Sequence, residues 1–79
     1  MSDFLAVISK NALEDVRVAL TEFKGYKLLD VRVWTERNDS TERVPTKKGI
    51  SIKLAQLDEL IGALEQAKVE ASARGWIDE

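Results

Sequence analysis

The chain contains no cysteine and no histidine, and its 79 residues include one proline, one methionine and four glycines. Without cysteine no disulfide can stabilise a small fold, and structural zinc would need carboxylate ligands alone, which is unusual. Without histidine, nucleophilic catalysis through an imidazole base is excluded. We therefore expect a protein that is not an enzyme and that holds neither a metal nor a cofactor.

Long apolar runs are also missing. No segment approaches the roughly 18 apolar residues of a membrane span. The opening residues, MSDFLAVISKN, lack the basic start and the apolar stretch of a secretory signal. We expect a soluble, intracellular protein, which would be cytoplasmic and nucleoid-associated if it is prokaryotic.

The short length limits the hydrophobic core. We expect a single domain over residues 1–79 with its core at about 14–74. A chain of this size buries only about 60–65% of its unfolded surface, so its own core is marginal. Because no disulfide is available, we expect oligomerisation to supply the missing stability.

Charge is distributed unevenly along the chain. The formal net charge is −2, yet residues 17–53 hold nine Lys or Arg against five Asp or Glu, and the remainder holds three against nine. The distribution of charge decides affinity for a polyanion more than the net charge does. The basic central segment is therefore where we expect a polyanion to bind.

Alternation of apolar and polar residues predicts the strands. The apolar run 4–8 predicts a short strand, and period-two patterns over 15–23 and 26–34 predict two half-buried strands. Lys24-Gly25 between them predicts a turn, because glycine is free to adopt a positive φ.

The pattern changes towards the C-terminus. Pro45 predicts an edge or irregular strand, Lys47-Lys48-Gly49 predicts a turn, and a short strand follows at 50–52. From about residue 53 to 74 the apolar residues follow a helical period, with Gly75 placed just beyond the helix end. The fold class is therefore α+β, with four or five antiparallel strands and one long helix. The apolar stripe that we expect to form the dimer interface comprises Leu57, Leu60, Ile61, Leu64 and Ala71.

The two faces of the predicted sheet differ in chemistry. Branched apolar residues of both long strands share one face, which we expect to be buried under a helix. The other face is aromatic and cationic, as in proteins that stack bases on rings and hold phosphates with cations. The candidate nucleic-acid-binding residues are Arg17, Phe23, Lys24, Tyr26, Arg32, Trp34, Lys47 and Lys48.

These residues also allow a purely structural interpretation. Phe23, Tyr26 and Trp34 could pack together as an ordinary cross-strand aromatic cluster, and the lysines could belong to a solvated turn. Asp30 would repel phosphate on this face, so we expect it to orient Arg32 or Arg17 through a salt bridge.

Three short segments precede the amphipathic helix, which follows the last of them directly. In chain order they are FKG at 23–25, LLDVRVW at 28–34 and KKGIS at 47–51. In this order and spacing the chain resembles the positive cofactor four family, the single-stranded-DNA-binding domain of a transcriptional coactivator, in a prokaryotic or phage form. The resemblance covers roughly residues 14–70.

The resemblance implies an intertwined homodimer in which each chain contributes a curved antiparallel sheet and one helix. It implies a groove for single strands or a melted duplex, with Phe23 stacking on a base. Lys24, Arg32, Lys47 and Lys48 would meet phosphates or bases. The stacking tryptophan of the coactivator falls one residue later than Trp34, and a shift of one residue reverses the face unless a bulge corrects it.

From these features we predict sequence-tolerant binding of single-stranded DNA, serving as a transcription cofactor or regulator or supporting replication and repair. Two alternatives stay open. The chain could be a protein–protein interaction module, a dimeric adaptor whose partners are transcription-machinery proteins, or it could bind single-stranded RNA through the same surface.

Overall fold

The computed structural model describes residues 4–38 and 40–77, which form one antiparallel sheet followed by a helix. The strands are arranged in chain order across the sheet, so that β1 and β4 are the edges. This is the α+β architecture that the sequence predicts. The elements are β1 Phe4–Ser9, β2 Glu14–Phe23, β3 Tyr26–Glu36, β4 Arg43–Lys53, a 3₁₀ turn Leu54–Gln56 and helix α1 Leu57–Ala73.

The connection between β1 and β2 is organised by one asparagine. The side-chain oxygen of Asn11 accepts hydrogen bonds from the backbone N–H groups of Leu13 and Glu14, both at 2.9 Å. The Glu14 carboxylate in turn accepts from the Asn11 amide and from Lys10. These two hydrogen bonds, that from Asn11 first, lower the pKa of Glu14.

A two-residue turn joins β2 to β3, as the sequence predicts. Phe23 pairs with Tyr26, and the residues between them have positive φ, 52° at Lys24 and 83° at Gly25. Two successive positive φ values define the turn type whose twist matches that of a β-hairpin. The hairpin therefore places Phe23 and Tyr26 side by side at its end.

The pairing of β2 with β3 separates the two faces of the sheet. Branched apolar residues face one another across the strands, and the residues between them point to the opposite side because side chains alternate. The apolar pairs are Val16 with Val33, Val18 with Val31 and Leu20 with Leu29. Both the matched apolar faces and the aromatic and cationic opposite face agree with the sequence prediction.

Strand β4 differs from its prediction. We expected two short strands separated by a turn at 47–49, but β4 is continuous over Arg43–Lys53. It pairs with β3 on both sides of an irregularity, so that residues 46–48 lie opposite Val33 alone. The Thr46 hydroxyl donates to the Val33 carbonyl at 2.8 Å and accepts from the Lys48 N–H at 3.1 Å. A side chain thus supplies hydrogen bonds at the bulge, and pairing resumes beyond it.

Gly49 is required where pairing resumes. A Cβ atom on Gly49 would lie 2.7 Å from the Cα of Arg32 and closer still to the Val31 carbonyl oxygen. Both neighbours are backbone, which a rotamer change cannot move. The glycine therefore permits close approach of β4 to β3 immediately after the bulge.

Helix α1 ends as the sequence predicts. Gly75 has a φ of 76°, its N–H donates to the Ser72 carbonyl at 3.0 Å, and the Trp76 N–H donates to the Ala71 carbonyl at 2.9 Å. This pair of bonds with a glycine just past the helix is a Schellman motif. At the other end, Asp58 and Glu59 occupy the first turn, where acidic side chains interact favourably with the helix dipole.

The helix does not cover the apolar face of its own sheet. Its main contacts are with the preceding 3₁₀ turn, which in turn touches β3. Leu29 is the only buried apolar side chain among the described residues, whereas Leu64 is 60% exposed. The radius of gyration is 14.9 Å, against about 12 Å for a compact chain of this length. One chain alone therefore lacks a hydrophobic core.

Within the described residues, no helix combines the length and the apolar character needed to cross a membrane.

Candidate nucleic-acid interface

An open groove of about 1030 Å³ runs across the face of the sheet opposite the apolar face. All four strands contribute to it, which is possible because alternate residues of paired strands share one side. Its lining includes Phe4, Phe23, Asp30, Arg32, Trp34 and Ser51.

Two exposed rings stand at the hairpin end of the groove face. Phe23 is 61% exposed and Tyr26 is 56% exposed, although register places them opposite each other. The Lys24 ammonium lies 5.3 Å from the centre of the Phe23 ring, and that of Lys53 lies 5.1 Å from the Tyr26 ring. Each ring thus combines an accessible aromatic surface with a neighbouring positive charge.

Trp34 lies on the groove face and is packed against β1. Its ring meets that of Phe4 edge-on, with centroids 5.1 Å apart and an interplanar angle of 83°. The guanidinium of Arg17 lies 4.5 Å from the Trp34 ring and 4.9 Å from the Phe4 ring. These distances are typical of cation–π contacts.

A buried carboxylate holds Arg17 in this position. Asp15 is only 5% exposed and accepts from Nε of Arg17 at 2.8 Å and from Nη1 of Arg43 at 2.8 Å. The hydrogen bonds from Arg17 lower the pKa of Asp15, and the hydrogen bond from Arg43 adds to the effect, whereas burial opposes it. Asp15 is therefore held as an ionised carboxylate between two arginines.

A second carboxylate–arginine pair lies further along the groove. Asp30 binds Arg32 with a closest nitrogen–oxygen distance of 3.0 Å and accepts from the Ser51 hydroxyl at 2.7 Å. Nη1 of Arg32 donates to the Thr46 carbonyl at 3.0 Å. Asp30 thus orients Arg32, one of the two partners expected from the sequence, while Arg17 is held by Asp15.

Lys47 and Lys48 lie in the β4 bulge rather than in a turn. Both are exposed, and neither is among the residues that line the groove. Lys48 is close enough to Glu14 for its charge to contribute to the lowered pKa of that carboxyl. In the described part of the chain, Lys24, Lys47, Lys48 and Lys53 take part in no salt bridge; the salt bridges involve Lys10, Arg17, Lys27, Arg32, Arg43 and Arg74.

The structure brings some of the candidate residues together and separates others. Phe23, Arg32 and Trp34 line one groove, Lys24 and Tyr26 stand at its hairpin end, and Arg17 is stacked against Trp34. The cluster of Phe23, Tyr26 and Trp34 considered as an alternative is not formed, since the ring that contacts Trp34 is Phe4.

Sequence reasoning missed three residues of this surface. Phe4 was assigned only to a short apolar strand, and the ring contact could not be known before the β1 register. Lys53 was placed at the start of the helix, although it extends the alternation of β4 and pairs with Leu28. Asp15 was assigned to β2, and its two arginine partners are separated from it by 2 and 28 positions.

The fold and the groove define a class: a small α+β protein with an open antiparallel sheet, one groove-bearing face and a C-terminal helix. A family model described as Transcriptional Coactivator p15 (PC4) matches residues 10–63, which is more than half of the chain. The chain therefore belongs to the PC4 family, and the resemblance predicted from the sequence is confirmed.

Solved structures agree with this assignment. A PC4 homolog from Burkholderia pseudomallei, in its orthorhombic crystal form, is 30% identical, with a TM-score of 0.76, covering 85% of this chain and 89% of that one. The bacteriophage T5 homolog of the eukaryotic transcription coactivator PC4 is 28% identical, with a TM-score of 0.68, covering 91% of this chain and 80% of that one. The comparison with curated proteins gave no match.

Proposed function

We propose that this protein binds single-stranded DNA with little sequence preference, as a homodimer and without catalysis. The observation that carries the proposal is the groove across one sheet face, where exposed rings and cations converge in a chain of the PC4 family. An open, aromatic and basic surface suits a flexible strand whose bases are unpaired.

Stacking would supply affinity that does not depend on sequence. Phe23 and Tyr26 expose more than half of their surface, so each ring offers accessible area on which a base could stack. Trp34 offers a third ring inside the groove. Each stacked base contributes about 1–3 kcal/mol, and every base has a π-face to offer.

Lysines would supply the contacts to phosphate. Lys24 and Lys53 stand beside the two exposed rings, while Lys47 and Lys48 project from the bulge of β4. None of the four forms a salt bridge within the described chain, so their charge is not neutralised by a local carboxylate. Binding phosphates there would release counterions from the strand.

Homodimerisation is supported by the surface that one chain leaves exposed. Exposed apolar side chains remain on α1, where Ile61 and Leu64 are 46% and 60% exposed, and on the apolar face of the sheet, where Leu20 and Ile50 are 56% and 47% exposed. Soluble monomers rarely expose apolar surface that extends over two elements. A second copy would cover both and provide the core that one chain lacks.

Two kinds of biological role fit this proposal. The family description names a transcriptional coactivator, which supports a role as a transcription cofactor or regulator with transcription-machinery proteins as partners. The phage T5 homolog is described as implicated in recombination-dependent DNA replication, which supports a role in replication and repair. Both roles would place the protein inside the cell.

The proposal is tested by fluorescence anisotropy with a labelled single strand of mixed sequence, its duplex and the matching RNA. We expect the single DNA strand to bind more tightly than the duplex. The logarithm of the binding constant should fall with the logarithm of salt by about 0.7 for each phosphate neutralised. A flat salt response would exclude phosphate-led binding.

Two outcomes would favour the alternatives. Equal or better competition by the RNA would indicate that the protein recognises the 2′-hydroxyl or does not discriminate against it. Failure to bind any oligonucleotide at low salt, together with passage through a heparin column without retention, would favour a protein-interaction module.

A further inference from the structure

Arg17 contacts both an acidic side chain and the aromatic rings beside the groove. Its guanidinium contacts two aromatic rings, at 4.5 Å from Trp34 and 4.9 Å from Phe4. Its Nε and Nη2 donate to the two oxygens of Asp15, at 2.8 and 3.3 Å. Its side chain is 20% exposed, so most of it is removed from solvent.

This arrangement leaves Arg17 poorly suited to hold a phosphate. To reach one, the guanidinium would have to leave the buried carboxylate of Asp15 and two rings. Asp15 would then keep one arginine partner, Arg43, instead of two. Arg17 itself would lose two hydrogen bonds to Asp15 and both cation–π contacts.

Trp34, by contrast, is placed where it can meet a base. It lies directly across from Asp15 in the β2–β3 pairing, and its side chain lines the groove. With Arg17 packed against it and the Phe4 ring meeting it edge-on, the indole has little freedom to rotate. A ring already held in its bound orientation loses less conformational entropy when a ligand stacks on it.

We propose that Arg17 is a positioning residue, which fixes the Trp34 ring as a base-stacking platform and does not itself contact phosphate. The inference rests on the proposed binding of single-stranded DNA. It assigns different roles to two residues that the sequence placed in one binding set, and it adds Asp15 and Phe4 as their supports.

The cluster also depends on a strand outside the matched family segment. Phe4 belongs to β1, Phe4–Ser9, whereas the family match begins at residue 10. The cation–π and edge-on contacts of Phe4 are thus made by a part of the chain that the family model does not describe.

The first experiment compares Arg17→Lys and Arg17→Ala with the parent protein by anisotropy on the same labelled single strand across a salt series. Lysine keeps the charge but lacks the planar fork that stacks on the rings and bonds both oxygens of Asp15. We expect both variants to bind roughly five- to tenfold more weakly with an unchanged salt slope. The matched control Lys24→Ala should make the slope shallower by about 0.7.

The second experiment reads the tryptophan itself. In a Trp76→Phe background, Trp34 is the remaining tryptophan, so quenching of its fluorescence by saturating oligonucleotide reports on stacking. We expect Arg17→Lys to lower the quenching at saturation. Circular dichroism and thermal unfolding establish that each variant is folded, and Arg17→Lys decides the matter if Arg17→Ala does not fold.

Several results would overturn the inference. Arg17 would be a phosphate contact if two results were obtained together: Arg17→Lys binds as tightly as the parent, and Arg17→Ala has a salt slope shallower by about 0.7. If Arg17→Lys leaves the quenching of Trp34 fluorescence at saturation unchanged, Arg17 does not position the Trp34 ring for stacking and has a structural role alone. If the parent binds DNA and Phe23→Ala weakens it while Arg17 variants do not, only this inference fails. If the parent itself does not bind, the proposed function fails with it.

Discussion

Individual cations on the groove face fall into two groups. Arg17, Arg32 and Arg43 are each bonded to a carboxylate of their own chain, whereas Lys24 and Lys53 stand beside exposed rings without such a partner among the described residues. A paired arginine organises its surroundings, and an unpaired lysine is available to a phosphate. The sequence predicted a salt bridge from Asp30 to Arg32 or Arg17, but it did not reveal Asp15 as the partner of Arg17 and Arg43, because that pairing depends on register.

Phe23→Ala should weaken binding of single-stranded DNA by about five- to a hundredfold, since it removes a ring on which a base can stack. The salt slope should not change, because no phosphate contact is lost. Anisotropy measures both quantities, with Val69→Ala as the control, an exposed apolar residue on the helix. Unaltered affinity in Phe23→Ala would show that bases stack elsewhere.

We expect Asp15 to make the free energy of unfolding depend on pH in the acidic range. Its folded pKa is lowered chiefly by the hydrogen bonds from Arg17, so the ionised form stabilises the folded state above the ordinary Asp value of about 4. That contribution is lost as pH falls through the lowered folded pKa. Urea unfolding measures the free energy of unfolding of the parent and of Asp15→Asn. This free energy should be higher for the parent at neutral pH, and the difference between the two proteins should shrink below about pH 4.

A constant difference between the parent and Asp15→Asn from pH 7 to pH 2.5 (about the practical limit of the measurement) would contradict this assignment. The pKa of Glu14 is lowered as well, which is why the comparison uses two proteins that both contain Glu14.

At the scale of elements, regular alternation of apolar and polar residues made the β2–β3 hairpin predictable. The bulge in β4 interrupts that alternation, so the sequence did not predict β4 as one continuous strand. The positive φ values at Lys24 and Gly25 follow from turn chemistry that the sequence displays. The bulge at 46–48 has no such local signature, because Lys47-Lys48-Gly49 also suits an ordinary turn. Its continuation as one strand depends on the Thr46 hydroxyl reaching the Val33 carbonyl across the sheet.

Two glycine substitutions should have opposite effects on stability. Gly49→Ala should lower the free energy of unfolding by about 1–3 kcal/mol, because its Cβ would meet the backbone of β3. Gly62→Ala should raise it by about 0.5–1 kcal/mol, since Gly62 lies inside α1 with nothing within 4 Å of the added atom. Chemical unfolding at one fixed protein concentration compares the two.

The bulge would be an unimportant irregularity if Gly49→Ala were as stable as the parent. Equal destabilisation by both substitutions would show that the space around Gly62 is filled in the assembled protein, by a partner chain for example.

For the whole molecule, the central fact is that one chain leaves both halves of a core exposed. Leu29 is buried, but Leu64 on α1 and Leu20 on the apolar face of the sheet are each more than half exposed. We expected a helix to bury the apolar face of the sheet, but helix α1 of the same chain does not do so, and its main contacts are with the preceding 3₁₀ turn.

Leu64→Glu should abolish the dimer and destabilise the fold, because it places a charge in the stripe that we propose to be buried between chains. Gln66→Glu adds the same charge on the opposite side of α1 and should be tolerated. Sedimentation velocity measures the association state, and circular dichroism measures folded structure. A folded monomer of Leu64→Glu, or an unchanged dimer, would contradict the proposed interface.

The sequence by itself determined the α+β class, the two faces of β2 and β3, the hairpin at Lys24-Gly25 and the helix end at Gly75, because each follows from local periodicity or local backbone preference. Tertiary structure decided what depends on partners distant in the chain. Phe4 reaches Trp34, Asp15 gathers Arg17 and Arg43, and Asp30 is bonded to Ser51. Strand register sets these contacts, and no short segment of sequence specifies the register.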